Sequence, residues 1–335
     1  MNLEISKRAR PSNAFGFQQA ALGNLFLTGA RLFTGSLESA ICLLKAIAGI
    51  GAGVDVLPIV NTNHTVHIAA TLADGSVVIG QNAISHPWAA PAPDDDADDP
   101  VALPGSLPAL RRQNISYSTQ TGEVPPLPTH VRKIWYVNPY GHEIHPAANP
   151  KALEAIRSAR LVIYSIGSLY TSIVPCLIVK GVGQALMTTK STAKVLMMNR
   201  AVDREISRGP HDEPMNYRQI VEALLQAAGA PVETLEDSAA VNPMVTHILY
   251  IRPRRPKEGS IALDRVPDGT PEKSLDAVFE WRYSVMVWGV AGRRDETGEW
   301  SYEPEALLQA LEKIVEWQQK LEVESGEGEP GDLVV

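Results

Sequence analysis

Cysteine is nearly absent: Cys42 and Cys176 are the only two in 335 residues. Two cysteines build neither a disulfide scaffold nor a Cys-rich zinc site, and both lie in apolar runs that predict buried free thiols. Long apolar runs are missing as well. No stretch reaches the roughly 18–20 apolar residues of a membrane-spanning helix, so no membrane partner is expected. The start, Met1 to Pro11, is polar and basic and lacks the apolar centre of a secretory signal, which makes a cytoplasmic protein the expectation. Excess positive charge is also lacking, with 30 Lys+Arg against 38 Asp+Glu and a net charge of −8. Two acidic runs, Asp94–Asp99 and Glu322–Asp332, account for more than that whole excess and leave a near-neutral body. Such a body does not neutralise phosphates in bulk, which excludes nucleic acid as a partner on that basis.

What is present is a 44% hydrophobic chain, enough for one large or two modest domains. Residues 1–16 form a polar basic leader. Residues 17–86 predict two helices, the second capped by Ser36, then a short strand over Val54–Val60 and a hairpin around Asp74-Gly75. Residues 87–129 are rich in Pro and Asp and read as a disordered insert whose acids are a solvated charge run. Over 130–321 strands and helices alternate. Strands are expected at Ile134–Asn138, Leu161–Ile166 (buried), Ala193–Met198, Val245–Ile251 and Val278–Val290. Helices are expected from Asn149-Pro150 to Ala159, through Thr171–Thr189 with interruptions at Gly181 and Gly183, over Tyr217–Ala228, and over Pro304–Leu321. Residues 322–335 are an acidic tail. The pattern predicts an α/β fold: a Rossmann-like, mostly parallel sheet with helices on both faces, whose ligands bind at the carboxyl ends of the strands.

The strongest candidate for chemistry follows the strand ending near Ile166. Gly167, Ser168, Leu169, Tyr170, Thr171 and Ser172 run from that strand into a helix expected to begin near Thr171. Free backbone N–H groups and hydroxyls at a helix start favour an anion such as a phosphate, and a glycine allows close approach. Ordinary capping by Ser and Thr is the alternative. Asn199, Arg200, Asp203 and Arg204 follow the next strand and belong on the same sheet edge, as a ligand-holding cluster or as a solvated loop. Asn63 and His64 sit in the polar run Asn61–Thr65 between two apolar strands, suited either to a ligand or to a turn held by side-chain bonds. His64 and His67, three apart on one strand, would point to opposite faces and not share a metal. Gly141–His145 reads as a loop because its histidine spacing is not that of a helical zinc site. Gly49, Gly51 and Gly53 follow a helix, so they end it and do not form a dinucleotide fingerprint.

Several segments together resemble one family. They are Gly23-Asn24-Leu25-Phe26, Leu37–Ile41, Ala148-Asn149-Pro150 with Ala152-Leu153 and Ala155-Ile156, and the run GSLYTSIVP from Gly167 to Pro175. The family is that of the 2-phospho-L-lactate transferases, which includes the bacterial gluconeogenesis-factor proteins. Thr28–Phe33 and Asn61–Ala70 look most like its fungal and other eukaryotic members. The resemblance implies a Rossmann-like fold that binds a nucleotide-linked small molecule of GDP or UDP type. In transferase members a phospholactyl group passes to a deazaflavin alcohol with Mg2+; in the regulatory members a UDP-sugar binds without catalysis. Gly167, Ser168, Thr171 and Ser172 match the ligand-lining turn, and Asn24 and Asn199 fall at matching polar positions. The family's first strand, its glycine-rich turn and its metal carboxylates have no counterpart in this sequence. The resemblance therefore assigns no Mg2+ ligand and no catalytic residue here. Either an incomplete gene product or a shortened, inactive member is then expected, and a homodimer or poor solubility is the expected consequence of an exposed strand edge.

Overall fold

Two helices open the described chain, separated by one glycine turn. The computed structural model describes residues 21–85, 127–189, 193–199, 204–206, 214–230, 244–252, 285–294, 298 and 300–325. Helix α1 (Leu22–Thr34) ends at Gly35, whose φ of 75° is the left-handed cap conformation that glycine adopts without strain. Ser36 then caps α2 (Leu37–Ile47), its hydroxyl accepting the Ser39 N–H at 3.3 Å. The helices pack against each other and bury Ala30 and Ala40. Glu38 of α2 accepts a 2.8 Å hydrogen bond from the buried Asn149 amide, fastening the helical pair to the rest of the chain.

The next layer is a four-stranded antiparallel sheet. Strand β1 (His67–Leu72) turns through Asp74-Gly75 into β2 (Val77–Ile79), and the Asp74 carboxylate accepts both the N–H and the hydroxyl of Ser76. A short helix α3 (Gln81–Ser85) follows, then β3 (Val131–Val137) and β4 (Glu143–Ile144), in the order β2-β1-β3-β4. Here the structure departs from the expected single, mostly parallel sheet. β3 pairs antiparallel with β1 from His67↔Val137 to Leu72↔Val131. The apolar pattern of β3 specifies a strand with a buried face, and it does not specify the neighbour. Two local expectations also change. Val54–Val60 forms no strand, only an isolated bridge from Val60 to Ala148, and Gly141–His145 contains β4.

The second sheet is the α/β part. Asn149 caps α4 (Pro150–Ser158), accepting the Lys151 N–H at 3.0 Å, and proline stands at the first helical turn as expected. Then come β5 (Leu161–Tyr164), a π-helical turn (Leu169–Ile173), α5 (Val174–Leu177), α6 (Val182–Thr188), β6 (Ala193–Met197), α7 (Tyr217–Ala227), β7 (His247–Arg252), β8 (Met286–Arg294), β9 (Trp300–Tyr302) and α8 (Pro304–Ser325). The strand order is β5-β6-β7-β8-β9, parallel except for β9. β5 is the edge strand of this sheet. Ile163 is 39% exposed, so the strand is not buried as its composition suggested. α8 continues to Ser325 and so enters the expected acidic tail. The 1–16 leader, most of the 87–129 insert and residues 278–284 lie outside the described residues, but Leu127 at the end of that insert is fully buried.

Two cores explain why all five residues of β6 are buried. Leu196 and Ile248 face a large core shared with Tyr164, Leu169, Val174 and Leu224, while Val195, Met197, Leu249 and Val290 face α8 through Ile314. A parallel sheet covered on both faces reads as a continuous apolar run. Both cysteines are exposed, contrary to expectation. α2 buries only Ala40, and Cys176 lies at the surface of α5 with its thiol on the Ser172 carbonyl at 3.4 Å.

Two polar groups sit inside the parallel sheet. Lys194 is 3% exposed, its Nζ donates to the Thr189 carbonyl at 2.7 Å, and burial pushes its pKa down to about 8. His247 has no exposed surface, its Nδ1 lies 2.8 Å from the Thr246 hydroxyl, and its ring stands edge-on to Trp317 at 5.5 Å. Burial lowers its pKa to about 4. The unfolded chain therefore holds more protons than the native one between the ordinary value of 6.5 and about 4, so native stability falls as pH drops through that window. The expected loss is roughly 3 kcal/mol by pH 4. Urea unfolding at pH 7 and pH 4.5 should show a smaller difference in His247→Leu than in the parent. A second outcome concerns Gly183, where a Cβ would collide with the backbone of Ala228 at the end of α7. Gly183→Ala is expected to destabilise by about 1–3 kcal/mol in the same assay.

Candidate functional site

β5 and β6 are parallel neighbours, so their carboxyl ends reach the same sheet edge. The chain leaves β5 through Ser165, Ile166 and Gly167, and it leaves β6 at Asn199. The Asn199 amide donates to the Ile166 carbonyl at 2.9 Å and joins the two exits into one lip. Gly167 is required by close approach rather than by backbone conformation. A Cβ there would stand 2.8 Å from Ser172 Cβ and 3.2 Å from Ser172 Oγ. Ser172 thus folds back over the glycine.

The helix begins earlier and wider than expected. Both the Ser172 and Ile173 N–H groups return to the Ser168 carbonyl, at 3.0 and 3.2 Å, and the Val174 N–H returns to the Leu169 carbonyl. These wide closures make a π-helical turn, an arrangement frequent at functional sites. Within it the Tyr170 and Thr171 N–H groups donate to one oxygen of Glu205 at 2.8 and 2.9 Å, and the Thr171 hydroxyl donates to the other at 2.5 Å. Glu205 is 1% exposed. The orphan donors of the helix start are therefore engaged by the protein's own carboxylate. Burial, with the Glu205 charge adding to it, pushes the Tyr170 phenol up to about 12. The adjacent Arg204 donates to the carbonyls of Ala83 and Ile84 at 2.8 and 2.5 Å, in the last turn of α3. Arg204 and Glu205 together link the end of α3 to the start of the π-helical turn.

The candidate residues thus divide. Leu169, Tyr170 and Thr171 are buried and face inward. Gly167, Ser172 and Asn199 are exposed and Ser168 is half-buried, and these four remain on the outer side of the lip. Arg200 and Asp203 lie outside the described residues. Asn24 is exposed in the first turn of α1, where its carbonyl accepts the Thr28 hydroxyl, and no hydrogen bond among the described residues joins it to the lip. Asn63 and His64 line an open cavity of about 580 Å³ that includes none of residues 165–172. His64 precedes β1, so the pairing of His64 and His67 on one strand does not arise. Glu205 escaped the sequence reading because a single acid one residue beyond Arg204 has no pattern of its own; only the π-helical turn gives it partners. Among the described residues no three His, Cys, Asp or Glu side chains converge on a metal position. No Mg2+ ligand is assigned among the described residues, and no chemistry is routed through that ion.

Replacing Glu205 by Ala leaves two buried N–H groups and a hydroxyl without an acceptor. A stability loss on the order of 3 kcal/mol is expected in urea unfolding, with a smaller loss for Glu205→Gln. Sulfate should restore more stability to Glu205→Ala than to the parent, because the vacated seat is built for an anion.

Comparison with known proteins adds a family context. The family model described as 2-phospho-L-lactate transferase CofD matches residues 8–265. Uncharacterized protein YNL011C of Saccharomyces cerevisiae is 34% identical over 298 residues, which cover 79% of this chain and 65% of that protein. A Nostoc protein named "Putative gluconeogenesis factor" is 26% identical over 176 residues, 52% of this chain and 28% of that one. The chain therefore spans less than two thirds of either curated relative. Two crystal structures of protein BH3568 from Bacillus halodurans, one described as a member of the UPF0052 family, share the fold with TM-scores of 0.51 and 0.52. They are 16% and 17% identical to this chain, and each comparison covers 92% of it and 77% of the bacterial chain.

Proposed function

The chain belongs to the 2-phospho-L-lactate transferase CofD family, and from that premise we propose that it binds a nucleoside-diphosphate-linked small molecule along the lip joining β5 and β6. The observation that carries this reading is the Asn199–Ile166 bond, which holds two strand exits together at the carboxyl edge of a parallel sheet. Gly167 lets a ligand approach the backbone, and Ser168, Ser172 and Asn199 offer hydroxyl and amide groups around it. Glu205 sets the turn rigidly from behind. Ligand phosphates therefore meet the outer face of the turn and not the inner donors of Tyr170 and Thr171.

In the transferase reading, the alcohol oxygen bonds to the phosphorus that carries the lactyl-type group, the P–O bond of the diphosphate breaks, the nucleoside monophosphate leaves and the alcohol proton passes to solvent. The residues of the lip contribute position and hydrogen bonds to the phosphate oxygens, the contribution that orientation and preorganised donors make to such transfers. The similarity to the Nostoc protein favours a second reading, a UDP-sugar-binding regulatory protein that needs the same lip without turnover.

Thermal unfolding separates these readings. The chain is melted alone and with GDP or UDP-N-acetylglucosamine, each with and without Mg2+. One nucleotide present at about 100 times its dissociation constant is expected to add roughly 2.7 kcal/mol of stability. Guanine selectivity supports the transferase, and uracil selectivity supports the regulatory protein. Gly167→Ala, which displaces Ser172, is expected to abolish the shift. A cooperative melt that neither nucleotide moves would defeat the proposal.

A further inference from the structure

The cavity lined by Asn63 and His64 includes none of the lip residues Gly167, Ser168, Ser172 and Asn199. We propose that it is a second binding site, for a small organic anion: a carboxylate or phosphate ester on a flat, apolar body.

Backbone bonds fix both walls of the cavity. The Asn61 N–H donates to the Ala147 carbonyl and the Asn149 N–H to the Ile59 carbonyl, each at 2.9 Å, so the segment leading to His64 is laced to the one that follows His145. The opposite wall is the β3–β4 turn, closed by the Asn138 N–H on the His142 carbonyl at 3.0 Å and by Gly141 at φ 88°. The volume of about 580 Å³ falls within the range of roughly 300–1,000 Å³ typical of small-molecule sites.

The hydrogen-bonding groups of the wall are unequally engaged. Asn138 Oδ1 already accepts the N–H groups of Tyr140 and His142, at 2.9 and 3.0 Å. That fixes the amide orientation and leaves its Nδ2 hydrogens for another partner. Thr62 Oγ1 already accepts the His64 N–H at 3.1 Å. The side-chain donors of Asn63, Asn138, His64 and His145 are engaged by no described residue. No carboxylate lines the cavity. The cation at its border is Arg31, whose guanidinium sits on the Asn63 carbonyl at 2.9 Å. A wall with several unengaged side-chain donors, a cation at the border and no carboxylate suits an acceptor-rich anion. Val66, Pro139, Tyr140, Ile144 and Pro146 supply apolar surface and one ring face for the body of that ligand.

Phenyl phosphate is the probe, with inorganic phosphate and phenol as its two halves. Calorimetric titration into the full chain is expected to give one-to-one binding of phenyl phosphate, at least tenfold tighter than either half. The double variant His64→Ala, His145→Ala should weaken it tenfold or more; both side chains are exposed, so its melt should match the parent's. His145→Ala alone should keep the nucleotide-induced stabilisation described above. Absence of phenyl phosphate binding, equal binding by parent and double variant, or phenol binding as tightly as phenyl phosphate would each overturn the proposal. Loss of nucleotide stabilisation in His145→Ala would also overturn it, by merging this cavity with the lip.

Discussion

The buried carboxylate of Glu205 is the contact on which the edge of the parallel sheet depends. It arrives from the chain beyond β6 and takes two backbone N–H groups and one hydroxyl from the π-helical turn beyond β5. Without it a buried helix start would lack acceptors, a situation proteins avoid. Its neighbour Arg204 adds the end of α3, so one dipeptide gathers three separate segments. The open side of the turn, with Gly167 and Ser172, inherits its shape from this hidden side.

The sheet behind that edge is covered on both faces, and this determines where polar chemistry can sit. Inside, Lys194 donates to the Thr189 carbonyl and His247 Nδ1 lies against the Thr246 hydroxyl, while Tyr164 Oη, His247 Nε2 and Trp288 Nε1 are buried without a hydrogen-bond partner among the described residues. Tyr302 of β9 reaches the carbonyls of Met198 and Leu249 at 2.9 and 2.8 Å, tying the exit of β6 to the middle of β7. Exposed polar groups of this sheet stand at the strand exits, among them Ser172 and Asn199. Beside the antiparallel sheet, the cavity between the segment leading into β1 and the β3–β4 turn carries imidazole and amide groups.

Family membership and geometry bear on different questions. The first places the chain among CofD proteins, and its fold is that of the bacterial BH3568 structures. The second says which residues of the turn face outward. A motif match treats Gly167 through Ser172 as one unit, yet the structure turns Leu169, Tyr170 and Thr171 into the core. Fewer side chains of the motif reach the surface than its length suggests.

Local interactions were legible in the sequence because they depend on near neighbours. Ser36 and Asn149 as caps, Asp74-Gly75 as a hairpin turn, and α7 ending before Gly229 at φ 76° all follow from residues within a turn of one another. The strands β5, β6 and β7 followed from apolar runs, whereas β8 occupies Met286–Arg294 and overlaps the expected 278–290 only in its first half. Tertiary structure alone decided that β3 joins β1 rather than the parallel sheet, that β5 is an edge, and that Cys42 and Cys176 face solvent. It also decided that Glu205 fills the helix start. Apolar periodicity states that a face is buried but not against what, and a lone carboxylate carries no sign of the distant N–H groups it will meet. Such pairings are properties of the packed chain and exist only once the segments have been brought together.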